Sequence, residues 1–169
     1  MWLVIGYGNS LRSDDRFGLE VIEQLKSTRI RHLSEIMAVP QLMPELAEPV
    51  SRAEGVIFVD ASTCLSPGEL RCIPLNQEYM EQAEVFSSSH HYVAEQLLRD
   101  AQVLYGHAPR GWLYTVGGST FDLGEQLSPQ TKASIPTVVK LILEKLQNSH
   151  LSSNESTERM SGHRKTSKS

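Results

Sequence analysis

VIGYGNSLRSDDRFG, residues 4–18, is the segment of this chain with the clearest structural pattern. It continues an apolar run that begins at residue 2, and such a run is typical of a strand buried on both faces. Beyond the polar loop, apolar residues recur at helical spacing: Phe17, Val21, Ile22 and Leu25. Asp14 or Asp15 is placed to cap that helix. The stretch therefore predicts a strand, a loop and a helix in succession.

The same alternation continues along the chain. Apolar runs predict further strands at residues 35–39, 56–59, 70–75 and 112–116. Helical periodicities predict helices within residues 41–50, within 87–106 and from residue 128 onward. Pro49 is expected to cut or kink the first of these near Glu48, and Pro136 either to move the start of the last to Ser134 or to kink it. The pattern predicts an α/β protein, a three-layer α/β/α sandwich with a mostly parallel central sheet.

Length and composition indicate one folded domain. The chain has 169 residues, of which 40% are apolar, so one domain can bury a full core. We expect this single α/β domain to cover residues 1–147. Residues 148–169 are polar and cannot bury enough apolar surface to offset their ordering entropy. They are therefore predicted to form a disordered tail.

Charge and cysteine content exclude several classes of function. The formal charge of −4 and the lack of a basic stripe before the tail argue against nucleic acid as a partner. Neither a signal peptide nor an apolar run of roughly 20 residues is visible, so we expect a cytoplasmic protein that does not enter membranes. Cys64 and Cys72 are too few for a disulfide framework and are expected to be free thiols.

The glycine-rich loop invites comparison with a dinucleotide site. Gly6 and Gly8 follow a buried strand, as phosphate-binding glycines do. However, the third glycine would stand at position 11, which is Leu11, and Asp14 and Asp15 would repel a phosphate. Nucleotide binding is therefore disfavoured. From the loop alone, an equally good interpretation is that the glycines serve only the turn and one aspartate caps the helix.

Three ligand-type residues are expected at one edge of the sheet. Asp15 follows the first strand, Asp60 closes the strand VIFV, and His90 and His91 open a helix. Ligands of open parallel sheets bind at the carboxyl ends of the strands. Two carboxylates and an imidazole suit a divalent ion such as nickel or zinc. Each residue also has a plainer interpretation, because an aspartate that ends a strand often forms a turn and a histidine that opens a helix is often only solvated. A metal-binding site at this edge is therefore one of the interpretations that the residues alone leave open.

Several motifs, in order over nearly the whole predicted domain, resemble the [NiFe] hydrogenase maturation proteases. They are GYGNSLRSDD, VIFVDAS, the SHH that opens the third long helix, and GHAPRGWLYTVGG followed by FDLGEQLSP. The resemblance implies an endopeptidase that removes the C-terminal peptide of the large-subunit precursor after nickel insertion. Nickel would then be presented by the substrate rather than held permanently. QLMPELAE and FDLGEQLSP most resemble the subgroup that serves bidirectional, NAD-linked hydrogenases.

The resemblance also implies roles for individual residues. Asp15, Asp60 and His91 match the family's metal-contacting and catalytic positions, with His90 as the alternative histidine. Asn9 and Asp14 are secondary candidates: Asn9 either shapes the loop or binds substrate backbone, and Asp14 either supports the site or caps the helix. Arg16 stands where glycine is common in the family. It would either weaken the binding of free metal or pair with Asp14.

The chemistry leaves some alternatives open. The metal would polarise a carbonyl or activate water, with a carboxylate as general base, but the sequence does not say which group takes the proton. No Ser/His/Asp or Cys/His arrangement suggests an acyl-enzyme. A small-molecule metallohydrolase and a non-catalytic chaperone of the precursor are the competing functions. We expect a monomer that forms a transient complex with the precursor.

Overall fold

The computed structural model of the protein describes residues 1–28, 30–75 and 89–162, and the side chains of these except residues 31, 89–92 and 152–162. Five strands are found in these ranges: β1 Trp2–Tyr7, β2 Ser34–Val39, β3 Gly55–Ser62, β4 Leu70–Leu75 and β5 Arg110–Gly117. Four α-helices accompany them: α1 Phe17–Lys26, α2 Ala47–Arg52, α3 Ser89–Tyr105 and α4 Pro129–Gly162. All five predicted strands and all four predicted helices are present.

The five strands form one sheet in the order β2-β1-β3-β5-β4. The pairs β1–β2, β1–β3 and β3–β5 are parallel, and only the edge strand β4 runs antiparallel to its neighbour β5. Every residue of β1 and β3 is buried, as expected for central strands covered on both faces. The mostly parallel central sheet is thus confirmed.

Helices cover both faces of the sheet. One apolar cluster joins residues of α1 and α4 to one face, and includes Phe17, Ile57 and Ile142. The other cluster joins residues of α2 and α3 to the opposite face, and includes Phe58 and Leu97. This arrangement confirms the three-layer α/β/α sandwich. No helix among the described residues has the length and apolar character needed to cross a membrane.

The proline-containing helices differ in detail from the expectation. Pro49 does not cut its helix, because α2 begins at Ala47 and Pro49 lies in its first turn, where no backbone N–H is needed. A separate 3₁₀ turn, Pro44–Leu46, precedes α2. Likewise, α4 begins at Pro129 rather than Ser134 and contains Pro136 in its interior. A proline therefore lies in the first turn of both helices, Pro49 in α2 and Pro129 in α4, whereas Pro136 lies inside α4.

The polar segment after residue 147 also departs from the expected disorder. α4 continues to Gly162, so residues 148–162 are helical where a disordered tail was predicted. Extending an existing helix costs far less than nucleating one, and α4 supplies the nucleus. Residues 163–169 lie outside the described residues, and the domain boundary at residue 147 stays a prediction.

The start of α1 lies unusually close to the carboxyl ends of β1 and β3. A Cβ atom placed on Gly18 would lie 2.2 Å from the carbonyl oxygen of Val59 and 2.7 Å from that of Tyr7. On Gly8, whose φ is +142°, it would lie 1.8 Å from the carbonyl oxygen of Asp15. Real Cβ atoms do not approach oxygen this closely. The glycines therefore permit the first loop to fold back against the edge of the sheet.

Asp14 joins this loop to the segment that follows β5. Its fully buried carboxylate accepts hydrogen bonds from the backbone N–H groups of Ser119 (2.7 Å), Thr120 (3.1 Å) and Ser128 (2.7 Å). The Ser128 hydroxyl donates a further bond of 2.8 Å. Burial alone would raise the pKa of Asp14, but the bonds from Ser128, Ser119 and Thr120 outweigh it and lower the pKa. Asp14 is thus an ionised anchor between two loops.

Neither aspartate caps α1 as predicted. A 3₁₀ turn, Ser13–Arg16, precedes that helix, and Arg16 occupies its N-cap position with no side-chain hydrogen bond to the helix. The carboxylate of Asp14 is directed instead to the residues before α4, as described above. The predicted capping role was therefore wrong for both Asp14 and Asp15.

Replacing Gly18 by alanine should destabilise the protein by about 3 kcal/mol, because the new Cβ forces two backbone oxygens away. Gly106→Ala is the matched control. Its φ of +78° carries a cost of roughly 1 kcal/mol, but nothing lies within 4 Å of the new atom. Urea denaturation of both variants measures the two losses. Equal losses would contradict the close packing at Gly18.

Replacing Asp14 by asparagine should cost about 3 kcal/mol, because an amide N–H₂ would face backbone donors. The lowered pKa of Asp14 sets the pH dependence of this loss. The carboxylate stabilises the fold fully above its unfolded pKa of about 4, and this contribution disappears as the pH falls through the folded value. The stability difference between wild type and variant should therefore shrink in acid.

Asp122→Asn is the control for this prediction, since it makes the same change at an exposed aspartate of the segment between β5 and α4 that Asp14 contacts. Denaturation of the three proteins at several pH values between neutral and strongly acidic gives the comparison. A stability difference for Asp14→Asn that is as small as that for Asp122→Asn would show that Asp14 does not anchor the loops.

Candidate functional site

Asp60 lies buried near the end of β3, where the sequence predicted a site residue. Its exposed fraction is only 1%, and β3 continues two residues beyond it to Ser62. The hydroxyl of Tyr7, at the end of β1, donates a hydrogen bond of 2.8 Å to Oδ2 of Asp60. A carboxylate at this depth requires polar partners, and Tyr7 supplies one of them. The edge of the sheet therefore holds a buried acid at a fixed position.

Asp15 lies nearer the surface, on the loop that folds over the same edge. Its Oδ2 accepts the backbone N–H of Asn9 at 2.8 Å. The side-chain oxygen of Asn9 in turn accepts the backbone N–H of Leu11 at 2.9 Å. Asp15 is half-buried and Asn9 is exposed. In this geometry the side chain of Asn9 shapes the loop, and the backbone of Asn9 holds the Asp15 carboxylate.

The two acids act on one common group, the Tyr7 hydroxyl. Burial raises the pKa of Tyr7 well above its usual value, the charge of Asp60 and its hydrogen bond raise it further, and the charge of Asp15 adds to the effect. Asp15 and Asp60 are therefore within electrostatic reach of the same hydroxyl. The structure brings both predicted carboxylates to one edge, as their positions after β1 and in β3 suggested.

The cation beside the acidic pair does not join it. Arg16 forms an ion pair of 2.5 Å with Glu20, one turn along α1, and also donates to the backbone carbonyl of Glu125. The structure therefore does not support the predicted alternative in which Arg16 holds Asp14. Asp14 is engaged by the loop before α4, which makes it a structural neighbour of Asp15 rather than part of the acid pair.

The predicted histidines lie in the first turn of α3, which begins at Ser89. A short connection joins the end of α3 to the start of β5, and 17 helical residues span roughly 25 Å, about the length of an eight-residue strand. The first turn of α3 therefore reaches the carboxyl edge of the sheet. The side chains of His90 and His91 lie outside the described residues. Among the side chains that are described, no three His, Cys, Asp or Glu groups are placed to hold a metal.

Two residues of the site were not predicted from the sequence. Tyr7 was taken only as part of the glycine loop, although its place beyond the buried strand put it at the same edge as Asp60. Thr115 is the β5 neighbour of Asp60, is 4% exposed, and its hydroxyl has no hydrogen-bond partner in the structure as described. Register alone signals such neighbours, once the strand order is known. Tyr7 and Thr115 thus flank Asp60 on its two neighbouring strands.

The arrangement combines two carboxylates with a hydroxyl donor at the open edge of a parallel sheet. Carboxylate oxygens are ligands for divalent metals, and a carboxylate near a bound carbonyl or water can also take a proton. Asp15 is half-buried, whereas Asp60 is almost fully buried. Such a pair can bind a metal ion or a peptide that approaches the carboxyl edge of the sheet.

Several solved structures that are similar to this chain are those of hydrogenase maturation proteases. HybD, a hydrogenase-maturating endopeptidase from E. coli, is 23% identical with a TM-score of 0.72, and the alignment covers 88% of this chain and 93% of that one. The [NiFe] hydrogenase maturation protease HybD from Thermococcus kodakarensis is 26% identical with a TM-score of 0.67, over 86% and 97% of the two chains. A hydrogenase 2 maturation peptidase from Thaumarchaeota archaeon SCGC_AB-539-E09 is 25% identical with a TM-score of 0.64, over 86% and 97%.

No protein-family model matches the chain, and no curated protein matches it. The likeness therefore lies in the three-dimensional structure, and it extends over nearly the full length of the solved proteins. The chain has the fold of the [NiFe] hydrogenase maturation proteases.

Proposed function

We propose that the chain is an endopeptidase that removes the C-terminal peptide from the large-subunit precursor of a [NiFe] hydrogenase. The observation that carries this proposal is the acid pair at the carboxyl edge: Asp60 is 1% exposed, and half-buried Asp15 lies within electrostatic reach of the same tyrosine hydroxyl. Proteins of this fold at 25% and 26% identity carry the names of hydrogenase maturation peptidases, which supports the same activity here.

The substrate would carry the metal to the site. In this proposal Asp15, Asp60 and His91 contact nickel already inserted in the precursor, and this contact positions the adjacent scissile peptide over the sheet edge. Recognition of the metal and recognition of the substrate are then one event. Asp60 is held by Tyr7, whereas Asp15 lies on an accessible loop, so Asp15 meets an approaching precursor first. A carboxylate of the pair acts as general base towards water.

The finer assignments are also part of the proposal. The motif resemblance of the QLMPELAE and FDLGEQLSP segments supports a precursor from a bidirectional, NAD-linked hydrogenase. Cytosolic location and a monomeric state remain predictions from the sequence. His90 is the alternative to His91, since both lie in the first turn of α3.

Replacing Asp60 by asparagine should slow the processing of nickel-loaded precursor at least about 100-fold, because a neutral amide neither binds a cation strongly nor accepts a proton. The fold should survive, since Tyr7 can still donate to the amide oxygen. The mass of the precursor, followed over time, measures the rate. Asp15→Asn should give a similar loss.

Asp122→Asn serves as the control for both variants, because it removes one negative charge from an exposed position. It should process the precursor at the wild-type rate. Full processing by Asp60→Asn, with a circular dichroism spectrum like that of wild type, would disprove the assignment of Asp60 to the site.

Metal analysis separates this function from the competing one. A protease whose nickel arrives with the substrate should contain far less than one metal ion per chain after purification. A small-molecule metallohydrolase built on the same residues should instead retain a stoichiometric ion through dialysis. Inductively coupled plasma mass spectrometry of the purified chain gives the ratio, and a tightly held stoichiometric metal would favour the metallohydrolase.

A further inference from the structure

Tyr7 and Asp60 are cross-strand neighbours in the centre of the sheet. The parallel ladder between β1 and β3 pairs Gly6 with Val59, and Tyr7 and Asp60 are the next residues on each strand. Tyr7 belongs to the apolar cluster under α2 and α3, which also contains Phe58, two residues before Asp60. Because side chains alternate along a strand, the two polar groups emerge on the same face. Strand pairing thus brings the phenol to the carboxylate.

The contact is directional and well shielded from water. The hydroxyl donates to Oδ2 at 2.8 Å, with Tyr7 5% exposed and Asp60 1% exposed. A hydrogen bond to one oxygen fixes the rotation of the carboxylate plane and, with it, the direction in which the other oxygen points. An ionised acceptor makes such a bond stronger than one between neutral groups. The Tyr7 hydroxyl therefore contributes to the orientation of Asp60.

The tyrosine itself is held rigidly. Its backbone oxygen lies against the start of α1, where a Cβ on Gly18 would come within 2.7 Å of it. Its backbone also belongs to β1, which is paired with β2 on one side and β3 on the other. The backbone that carries the phenol is therefore packed on all of these sides.

We infer that Tyr7 is a positioning residue that holds the Asp60 carboxylate in the orientation in which it engages metal and substrate. The inference rests on the proposed function for its substrate, but the contact itself lies within this chain. Partners that hydrogen-bond a metal ligand orient it, and their loss typically lowers metal affinity about 10- to 100-fold. Tyr7 would act through Asp60 and would not touch the peptide.

The test compares Tyr7→Phe with Tyr114→Phe. Both changes remove one hydroxyl from a buried tyrosine of the sheet, but Tyr114 lies in the cluster on the opposite face, under α1 and α4. Calorimetric titration of each purified chain with Ni²⁺ gives its metal affinity, and thermal unfolding gives its stability. Tyr7→Phe should bind Ni²⁺ about 10- to 100-fold more weakly than wild type. Tyr114→Phe should bind it as wild type does.

Cleavage of nickel-loaded precursor provides the second readout. Tyr7→Phe should cleave more slowly by a similar factor, while its thermal midpoint stays close to that of Tyr114→Phe. Tyr7→Phe that binds Ni²⁺ and cleaves like the control would overturn the inference and leave the proposed function intact. Wild type that binds Ni²⁺ in a Tyr7-dependent way but never cleaves would overturn the proposed function alone.

A measurement on the wild-type chain keeps the inference testable if Tyr7→Phe does not fold. Titration with diamagnetic Zn²⁺, followed by NMR, should shift the Tyr7 ring signals at the same metal concentration as the Asp60 carboxyl carbon. Tyr7 signals that stay unmoved while the Asp60 signal shifts would show that the two groups are not coupled, and the inference would fail.

Discussion

The start of α1 packs so closely on the ends of β1 and β3 that no side chain fits between them. Gly18 lies against the carbonyl oxygens of Val59 and Tyr7, and Gly8 lies against the backbone of Asp15. This constraint folds the first loop back over the sheet instead of letting it extend into solvent. The acidic residues of the loop are carried with it to the carboxyl edge, where Asp60 is already buried. Backbone packing at these glycines therefore determines where the acidic loop lies relative to the sheet.

Two adjacent aspartates of the loop have different physical roles. Asp14 is fully buried and accepts three backbone N–H groups and one hydroxyl from the segment before α4. Asp15 is half-buried and accepts the N–H of Asn9. The first carboxylate links two loops, and the second remains accessible for a ligand. Of these two adjacent aspartates, Asp14 thus anchors the loop and Asp15 is the candidate ligand.

Local pattern was sufficient to predict much of this fold. Continuous apolar runs indicated the buried strands β1 and β3, and helical spacing indicated α1 and α3. The position of Asp60 after such a run was enough to predict its place at the carboxyl edge. The extent of α4 was not predicted, because a helix can be extended through a polar segment once its apolar first half is packed.

Contacts between residues that are far apart along the chain could not be predicted from the sequence. Asp14 and Ser128 are 114 positions apart, and Tyr7 and Asp60 are 53 apart. Such pairs depend on strand order and register, which no single segment encodes. For this reason the sequence predicted that Asp14 caps its own helix, and it gave no indication that Tyr7 contacts Asp60. The candidate ligands were identified by residue type, whereas the groups that orient them emerged only from the assembled sheet.

The proposed function requires that this edge of the sheet recognise a metal-loaded precursor and cut it. The most direct measurement is the mass of a [NiFe] hydrogenase large-subunit precursor after incubation with the purified protein, with and without nickel inserted. The nickel-loaded form should lose a C-terminal peptide, and the nickel-free form should keep its mass. An unchanged mass for both forms, or equal cleavage of both, would rule out cleavage that depends on the inserted nickel.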